Sequence, residues 1–505
     1  DARNRQLDGT EGWYIPSQQG CGLVLTIDAE IQEMVEKAMR ECIEVNQAQS
    51  VICLVSDVKT GAILAMCMNP CYDPNDPPRN DAETLTELMR LTAISDVYEP
   101  GSTFKILTAA SALDSGVTTP QDSFYCSAKI TVDGDTIRCW GRPHGAETMA
   151  DGLKNSCNPV FVELALRMGT DTFYRYLTAF GLGKKTGIDL PGESPGILIT
   201  SRNVKRVDLA RIGFGQSVAL TPIQMMMAAN SVINGGKLMK PYIVSEIQTP
   251  DGETLERFHP TVMAAPIRPE TSDTMRLLLE RVVSEGGGKN AAIAGYRIGG
   301  KTGTAQVYKN GRVVRDTHIG SFYGFAPVND PRVSILVIVK EADVPIDYGG
   351  TTAAPFARQI MQEMLPYLGI EPENDEKDEE IEVPALKGLT IGDAKRKLSQ
   401  VGLESVTDGA NTVVLDQLPP AGAKLVKGGH VMLYTAGSEE LTPEELVCVP
   451  DLTGLGDVDC ARLVRQRGLM MSMTGQGLCT EQSPAAGEYV QPGTTIFLLM
   501  AGDDE

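Results

Sequence analysis

Ser102 and Lys105 form the first of three short motifs whose residue types could together perform nucleophilic chemistry on a carbonyl group. The Pro100-Gly101 step cannot lie inside a helix, whereas residues 103–113 have a helix-forming composition, so Ser102 is predicted at a helix N-terminus. A lysine three residues further on lies on the same helix face as the serine. Partial desolvation would lower the pKa of Lys105, and the amine could then accept the serine proton.

The same two residues have a plainer interpretation, in which Ser102 only caps the helix and Lys105 is solvated. Ser56 and Lys59 also fit the Ser-x-x-Lys spacing. They span a predicted hairpin turn, where the two side chains need not meet, and no Pro-Gly step precedes them. We therefore prefer Ser102 as the candidate nucleophile.

The second motif is Ser156-Cys157-Asn158, which is followed by Pro159 and an apolar helical segment. Proline at a first helical position marks a loop that enters a helix. A serine and an asparagine held in such a loop could relay a proton and bind a substrate amide. Ser201-Arg202-Asn203 fits the same pattern, and either triplet could be only a helix cap.

The third motif is Lys301-Thr302-Gly303-Thr304, which follows the predicted strand segment 296–300. Lys-Thr-Gly also occurs at 59–61, in a predicted hairpin turn, and at 185–187, in a glycine-rich connection. Only the copy at 301 stands on a predicted strand flanked by glycines. Glycine lets a substrate backbone approach such a strand closely, and a lysine with two hydroxyl groups suits a substrate carboxylate.

The elements that must position these motifs are strands early and late in the first 370 residues, with helices between them. Residues 51–67 are predicted to form a hairpin, because two apolar runs are joined by a polar turn that ends in glycine. Helical spacing dominates the segment 85–285, and strands return between 296 and 341. This order predicts an α/β (α+β) fold, with one antiparallel sheet built from both ends and a helical subdomain.

The C-terminal part is an internal repeat that begins after an acidic stretch, residues 371–380, with seven acidic residues and one lysine. Such a stretch repels itself and stays solvated, so it is predicted to be a linker. The pattern of 383–388 returns at 449–454, and that of 417–422 returns at 482–487. Each unit has a helical segment followed by short strands, which predicts two small α+β modules.

Composition and charge exclude several classes of function for this chain of 505 residues. The net charge of −21 argues against a nucleic-acid partner, whose phosphates would be repelled. No apolar run is long enough to span a membrane. Eleven cysteines without a Cys-x-x-Cys pair, together with four scattered histidines, predict that there is no structural zinc site. Cys126 and Cys139 flank a short predicted hairpin, and they could form a disulfide or two buried thiols.

The three motifs occur in the order used by penicillin-binding proteins and serine β-lactamases. The surrounding sequence resembles the class B penicillin-binding proteins, which are monofunctional transpeptidases of bacterial peptidoglycan. The resemblance covers about residues 20–368 and is carried by EPGSTFK, GQSVALTPIQMMMAANSVINGG, GGKTGTAQ, HIGSFYGFAPVNDP and GGTTAAPFARQIM. The two repeats resemble the PASTA modules of Gram-positive division and sporulation transpeptidases.

The resemblance implies a domain order and a location in the cell. The predicted parts are a remnant of an N-terminal pedestal domain (1–20), the transpeptidase domain (21–370), the acidic linker (371–381) and two PASTA repeats (382–437 and 446–502). Family members have one N-terminal transmembrane anchor, which is absent from this chain, so we expect action at the extracellular face of the cytoplasmic membrane. The expected partner protein is a membrane glycosyltransferase of the division or sporulation machinery.

The resemblance also implies a substrate, a stem peptide ending in D-Ala-D-Ala, and a role for each motif residue. Ser102 would attack the penultimate carbonyl with Lys105 as base, and the backbone N–H groups of Ser102 and Thr304 would form the oxyanion hole. Ser156 would relay a proton to the leaving D-alanine, and Asn158 would bind the peptide amide. β-Lactams, which mimic D-Ala-D-Ala, would acylate the same serine, and no metal or organic cofactor is implied. The residues expected to hold the terminal carboxylate or the β-lactam are Lys301, Thr302, Gly303 and Thr304.

Three other functions share these motifs. A β-lactamase or a carboxypeptidase would pass the acyl group to water, and a wall-binding scaffold protein would carry an inert transpeptidase domain. β-Lactamases are typically one compact domain without PASTA repeats, and the intact motifs disfavour an inert scaffold. Transpeptidation is therefore the preferred hypothesis. One departure is Cys157, which occupies the middle of the second motif, a position at which the family varies.

Overall fold

The computed structural model describes residues 19–501 except 142, 310–311, 373–379, 408–412, 419–420, 423, 427, 435–446, 476, 487–488 and 491–493. Most of the predicted pedestal remnant and most of the predicted acidic linker lie outside the described residues.

The strands before residue 370 are β1 (Gly22–Leu25), β2 (Ser50–Asp57), β3 (Ile63–Asn69), β4 (Ser123–Cys126), β5 (Lys129–Val132), β6 (Asp135–Arg138), β7 (Gly145–Thr148), β8 (Ile197–Leu198), β9 (Val218–Ala219), β10 (Leu238–Met239), β11 (Val244–Gln248), β12 (Thr254–Arg257), β13 (Val262–Ala264), β14 (Gly299–Lys309), β15 (Arg312–Ala326) and β16 (Val333–Lys340). The later strands are β17 (Glu380–Glu382), β18 (Glu404–Thr407), β19 (Asp416–Leu418), β20 (Lys424–Val426), β21 (His430–Tyr434), β22 (Val447–Cys448), β23 (Met470–Gly475), β24 (Leu478–Ser483), β25 (Tyr489–Val490) and β26 (Thr495–Ala501).

The α-helices are α1 (Ala29–Val45), α2 (Ala82–Leu88), α3 (Thr92–Ser95), α4 (Lys105–Asp114), α5 (Met149–Lys154), α6 (Asn158–Ala179), α7 (Arg206–Ile212), α8 (Pro222–Ile233), α9 (Pro269–Ser284), α10 (Gly349–Thr352), α11 (Ala354–Tyr367), α12 (Ile391–Gln400) and α13 (Asp457–Gln466). Short 3-10 helices span Gly101–Phe104 and Lys289–Ala291. In the described part of the chain, none of these helices has both the length and the apolar character needed to cross a membrane.

A five-stranded antiparallel sheet, in the order β14-β15-β16-β2-β3, forms the centre of the first 370 residues. Its strands β2 and β3 are the predicted early hairpin, and the other three come from the segment after residue 298. The prediction of one sheet built from both ends is therefore confirmed. Strand β14 lies at the edge of this sheet, so one side of its backbone has no strand partner among the described residues.

Helices cover both faces of the sheet, which makes its central strands almost completely buried. Side chains of α1 and α11, such as Val35 and Ile360, pack with Val337 of β16 on one face. Helices α4 and α8 pack on the other face, against Leu54 and Leu336. The alternation of side chains along a strand sends neighbouring residues into these two different cores. Every residue of α8 is buried, as its apolar run without a polar face indicates.

A small β-structure connects the helical subdomain to the region of the second motif. Strand β4 pairs antiparallel with β7, and this pair encloses the hairpin of β5 and β6. Helices α5 and α6 follow directly, separated by a three-residue connection. The predicted hairpin between Cys126 and Cys139 is thus confirmed, and it lies beside the turn that carries Ser156.

Each C-terminal repeat packs one helix against a three-stranded sheet, in the orders β18-β21-β19 and β23-β26-β24. In both sheets the first strand runs parallel to the central one and the third strand runs antiparallel to it. Each repeat also has its own small hydrophobic core. The predicted pair of similar α+β modules is therefore confirmed. Ion pairs with the preceding part join Lys289 to Glu404 and Glu44 to Arg465.

Candidate active site

Ser102 is the second residue of the 3-10 turn that leads directly into α4, which confirms its predicted place at a helix start. Side chains three residues apart eclipse one another in a 3-10 turn, so Ser102 and Lys105 extend from the same side of the backbone. The Lys105 backbone N–H donates to the Ser102 carbonyl and closes the turn. Within the described residues no hydrogen bond joins Lys105 Nζ to Ser102 Oγ, and such contacts commonly tighten only when a substrate binds.

Lys105 is completely buried, and its side chain ends among neutral hydrogen-bond acceptors. Its Nζ donates to the Ser156 carbonyl at 2.6 Å, to Ser156 Oγ at 3.1 Å and to Asn158 Oδ1 at 2.7 Å. The Phe161 ring centroid lies 5.4 Å from the same nitrogen. Burial lowers the pKa of Lys105 to about 7, although nearby cysteine and glutamate side chains act in the opposite direction. The amine can therefore lose its proton near neutral pH, as a general base must.

Ser156 lies in the connection between α5 and α6, with a left-handed backbone conformation of φ +57°. Its N–H donates to the Leu153 carbonyl, and the N–H of Cys157 donates to the Gly152 carbonyl. Helices that end with this hydrogen-bond pattern usually have glycine at the left-handed position. Serine there costs backbone strain, which is typical of functional sites, and it places a hydroxyl group beside Lys105. Pro159 follows within the first turn of α6, as predicted.

Asn158 is the first residue of α6 and uses both ends of its side-chain amide. Its Oδ1 accepts the hydrogen bond from Lys105, and its Nδ2 donates to the Arg138 carbonyl at 3.0 Å. The amide is therefore held in one orientation. The Asn158 side chain thus connects the small β-structure, the start of α6 and Lys105.

Lys301 lies on the edge strand β14, and its side chain is fully buried. Its Nζ donates to the Thr302 carbonyl at 3.0 Å, and no carboxylate in the described part of the chain pairs with it. Burial, followed by the charge of Lys105, holds the pKa of Lys301 well below its usual range. A buried ammonium group without an anion is costly, and a ligand carboxylate would remove that cost. Thr302 and Thr304 share one face of the strand beside it.

The turn that carries Ser102 packs directly on β14, and each of the two segments has a glycine at this contact. A Cβ atom at Gly101, where φ is +54°, would lie 2.6 Å from the Thr304 carbonyl oxygen. A Cβ atom at Gly303 would lie 2.9 Å from the Thr103 side chain. The backbones of Ser102 and Thr304 are thus on facing segments, as the predicted oxyanion hole requires.

Gly349, at the start of α10, belongs to the site and was missed from the sequence. Its N–H points to Thr304 Oγ1 at 3.5 Å. A Cβ atom at Gly349 would lie 2.2 Å from the Ser321 carbonyl oxygen and 2.3 Å from the Gly303 carbonyl oxygen. The available signal was the pair of glycines, 349–350, directly before a helix. This contact presses α10 against the strand that carries the third motif.

We expect Gly349→Ala to destabilise the protein by about 1–3 kcal/mol, since both clashes are with backbone atoms that cannot rotate away. Displacement of β14 should also slow acylation by penicillin at least about tenfold, because small misplacements of reacting groups reduce rates strongly. The melting temperature and the acylation rate measure the two effects. Gly287→Ala is the matched control, because a Cβ atom there meets only Thr302 Oγ1, at 3.8 Å. Equal values for both variants would contradict the tight contact.

The competing sequence patterns do not assemble comparable sites. Ser56 is fully buried in β2, whereas Lys59 is half-exposed and pairs with Asp330. Residues 201–203 form an exposed turn. In the segment 185–187, the Thr186 and Gly187 backbone groups donate to a buried glutamate.

The cysteines near the second motif are free thiols, so neither Cys126 nor Cys139 forms a disulfide in the structure. The sequence predicts no structural zinc site, whereas the structure brings four potential metal ligands together at this point. The sulfur atoms of Cys126, Cys139 and Cys157 and a ring nitrogen of His144 all lie within 4.8 Å of one another. The Cys157 side chain therefore belongs to a buried cluster behind the second motif. The neighbouring Cys157 thiol lowers the pKa of Cys139 below its usual range.

The structure brings all three motifs to one place. A serine hydroxyl lies one turn from a lysine of lowered pKa, the second motif holds that lysine, and a second buried lysine lies on the adjacent edge strand. This arrangement suits formation of a serine ester from a substrate that carries a carboxylate near the reacting carbonyl.

Two family profiles match the chain. The profile of the penicillin-binding protein transpeptidase domain matches residues 51–362, and the PASTA domain profile matches residues 381–437 and 447–502.

Named relatives are similar over most of the chain. Stage V sporulation protein D of Bacillus subtilis (strain 168) is 37% identical over 451 residues, which are 87% of this chain and 69% of that protein. Peptidoglycan D,D-transpeptidase FtsI of Escherichia coli (strain K12) is 31% identical over 358 residues, which are 71% of this chain and 58% of that protein. The chain thus spans little more than two thirds of the first protein and less than two thirds of the second.

Solved structures show the same fold. Penicillin-binding protein 3 of Mycobacterium tuberculosis, complexed with aztreonam, is 28% identical with a TM-score of 0.66 over 72% of this chain and 82% of that chain. The transpeptidase domain of penicillin-binding protein 3 from Burkholderia pseudomallei is 27% identical with a TM-score of 0.60, over 69% and 98% of the two chains. Together with the geometry of the three motifs, these matches place the chain in the penicillin-binding protein transpeptidase family, with two PASTA domains after its catalytic domain.

Proposed function

We propose that the chain is a peptidoglycan D,D-transpeptidase that crosslinks stem peptides through an ester on Ser102 and is acylated by β-lactams at the same residue. The observation that carries this proposal is the environment of Lys105. It is fully buried, has a pKa lowered to about 7, is held by Ser156 and Asn158, and lies one turn from Ser102. A solvated lysine beside a capping serine would lack the burial, the lowered pKa and the contacts with Ser156 and Asn158.

In the proposed reaction, Ser102 Oγ attacks the penultimate carbonyl of a stem peptide ending in D-Ala-D-Ala while Lys105 takes the hydroxyl proton. The backbone N–H groups of Ser102 and Thr304 stabilise the resulting oxyanion. The peptide bond breaks, and the proton passes from Lys105 through Ser156 to the leaving D-alanine. An amine of a second stem peptide then attacks the ester and loses a proton to Lys105. As the new peptide bond forms and the ester bond breaks, Lys105 returns this proton to Ser102 Oγ.

Substrate binding is assigned to the edge strand and to the second motif. We propose that the terminal carboxylate lies at Lys301 with the hydroxyl groups of Thr302 and Thr304, because this buried lysine has no carboxylate partner among the described residues and a bound carboxylate would favour its charged form. The free edge of β14 can pair with the extended peptide. Gly303 lets the turn that carries Ser102 pack closely on that strand.

The domain limits, the cellular role and the partner protein of the chain are also proposals. We propose the domain limits 21–370 for the transpeptidase part and 382–437 and 446–502 for the PASTA repeats, with the acidic linker 371–381 between them. The first 20 residues would end a pedestal domain that follows a membrane anchor. The similarity to a protein named for sporulation supports a role in sporulation, with division as the other candidate, and a membrane glycosyltransferase would be the partner.

A fluorescent penicillin and a donor peptide ending in D-Ala-D-Ala test the proposed reaction. We expect one label per chain that persists for many minutes, and a product in which a D-amino acid acceptor replaces the terminal D-alanine. A donor peptide that ends in L-Ala-L-Ala serves as the control and should give no product. Rapid loss of the label would indicate a β-lactamase, and hydrolysis without transfer would indicate a carboxypeptidase. Absence of label would indicate an inert scaffold.

A further inference from the structure

A buried cluster of three thiols and one imidazole lies behind the active site and has no part in the reaction described above. The Sγ atoms of Cys126, Cys139 and Cys157 and a ring nitrogen of His144 are all within 4.8 Å of one another. Cys126 and Cys157 are completely buried, Cys139 is 9% exposed, and the His144 side chain is 17% exposed. Each of the three cysteines is a free thiol.

We propose that Cys126, Cys139, His144 and Cys157 bind one Zn²⁺ ion. Three thiolates and one imidazole are a ligand set typical of structural zinc sites. Tetrahedral zinc with Zn–S bonds of about 2.3 Å holds its sulfur ligands about 3.8 Å apart. The four ligand atoms already lie within 4.8 Å of one another, so the cluster needs to contract by about 1 Å at most to close around the metal.

The backbone shows why ligands so far apart in sequence meet. Cys126 ends β4, where it pairs with Gly145, the neighbour of His144. The hairpin between these strands returns so that the Cys139 N–H donates to the Ala128 carbonyl at 2.7 Å. Cys157 approaches from the connection between α5 and α6. Four separate segments therefore each deliver one ligand to the same point.

Glu147 provides an independent indication of a ligand. Its side chain is 3% exposed, its Oε1 accepts no hydrogen bond from the described residues, and that atom lies 3.7 Å from His144 Nδ1. Metal-bound histidines almost always donate their second ring N–H to a carboxylate, a carbonyl or a water. With His144 Nε2 turned to the zinc ion, its Nδ1–H would donate to Glu147 and satisfy this buried oxygen. Asn155 Nδ2 already fixes the other carboxylate oxygen at 3.1 Å.

The metal would position the second motif without touching the substrate. Cys157 lies between Ser156 and Asn158, the two residues that hold Lys105 Nζ. Arg138, which precedes Cys139, accepts the hydrogen bond from Asn158 Nδ2. A bond from zinc to Cys157 would therefore help to keep Ser156 in its strained left-handed conformation. The four ligands are positioning residues in this sense.

The metal content of the complete chain, purified under reducing conditions and supplied with Zn²⁺, tests the proposal directly. After dialysis we expect about one zinc per chain by elemental analysis, and a loss of most of that zinc in Cys139→Ser and in His144→Ala. Cys460→Ser is the matched control, since Cys460 is equally buried but lies in the second PASTA domain. Cobalt bound to the wild-type chain should show a thiolate-to-metal charge-transfer band, which the two ligand variants should lack.

Two further readouts separate positioning from mere loss of the fold. Removal of the metal with a chelator should lower the melting temperature and slow penicillin acylation about 10–100-fold, the range seen when metal-site partners are lost. Added Zn²⁺ should restore both.

A wild-type chain without zinc would overturn the proposal. An intact mass two daltons lower, showing a disulfide within the cluster, would also overturn it. Equal zinc in wild type and both ligand variants would show adventitious binding only. The metal measurement is independent of catalysis, so its failure leaves the proposed transpeptidase reaction untouched.

Discussion

We expect Ser102→Ala to form no covalent adduct with penicillin, a loss of more than about a thousandfold in acylation rate, while the chain stays folded. Ser102 is partly exposed, lies beside the buried Lys105, and belongs to the turn that packs against Thr304 of β14. Removal of the hydroxyl leaves no oxygen to form the ester, whereas alanine fits the turn without strain. Intact-mass spectrometry after incubation with penicillin measures the adduct, and the melting temperature shows that the fold is kept.

Two other serines test the assignment. Ser56→Ala removes the serine of the other Ser-x-x-Lys pattern and should still give one adduct per chain. Ser156→Ala should also give an adduct, at a reduced rate, although its hydroxyl lies 3.1 Å from Lys105 Nζ. Peptide mapping that places the adduct on Ser156, or a full adduct on Ser102→Ala, would show that another serine is the nucleophile.

Lys105→Ala should slow penicillin acylation at least about a hundredfold, because general-base catalysis contributes about that much or more. The matched control is Lys59→Ala, which removes the lysine of the alternative pattern and should leave the rate unchanged. The second-order rate constant for acylation is the measurement, with the melting temperature as a check of the fold. A rate within tenfold of the wild-type value would show that another group accepts the serine proton.

The same lysine should determine the pH dependence of wild-type acylation. Burial lowers the pKa of Lys105 to about 7, so the ammonium form dominates below this pH and cannot accept a proton. The rate should therefore rise with pH by about tenfold per unit up to about pH 7 and level off above it. The residual rate of Lys105→Ala should lack this step. A wild-type rate that is flat between pH 5 and 8 would contradict a base with this pKa.

Local sequence signals were sufficient for the individual elements of the fold. The hairpin of β2 and β3 follows from two apolar runs and a glycine turn, and the start of α4 follows from Pro100-Gly101. Such signals depend on residues close in the chain. The order of strands in the sheet does not, because pairing β16 with β2 joins segments about 280 residues apart. The place of β14 at the edge therefore came only from the tertiary structure.

By itself the sequence determined the three motifs, their order, the family resemblance and the two C-terminal repeats, since each of these is a pattern within a short segment. Only the tertiary structure decided that Lys105 and Lys301 are both buried, and burial is what lowers their pKa values. It also decided that His144 lies beside three cysteines, which no short spacing motif indicates. Desolvation and metal ligation both depend on atoms that surround a group in space, and chain folding brings those atoms from segments that share no local pattern.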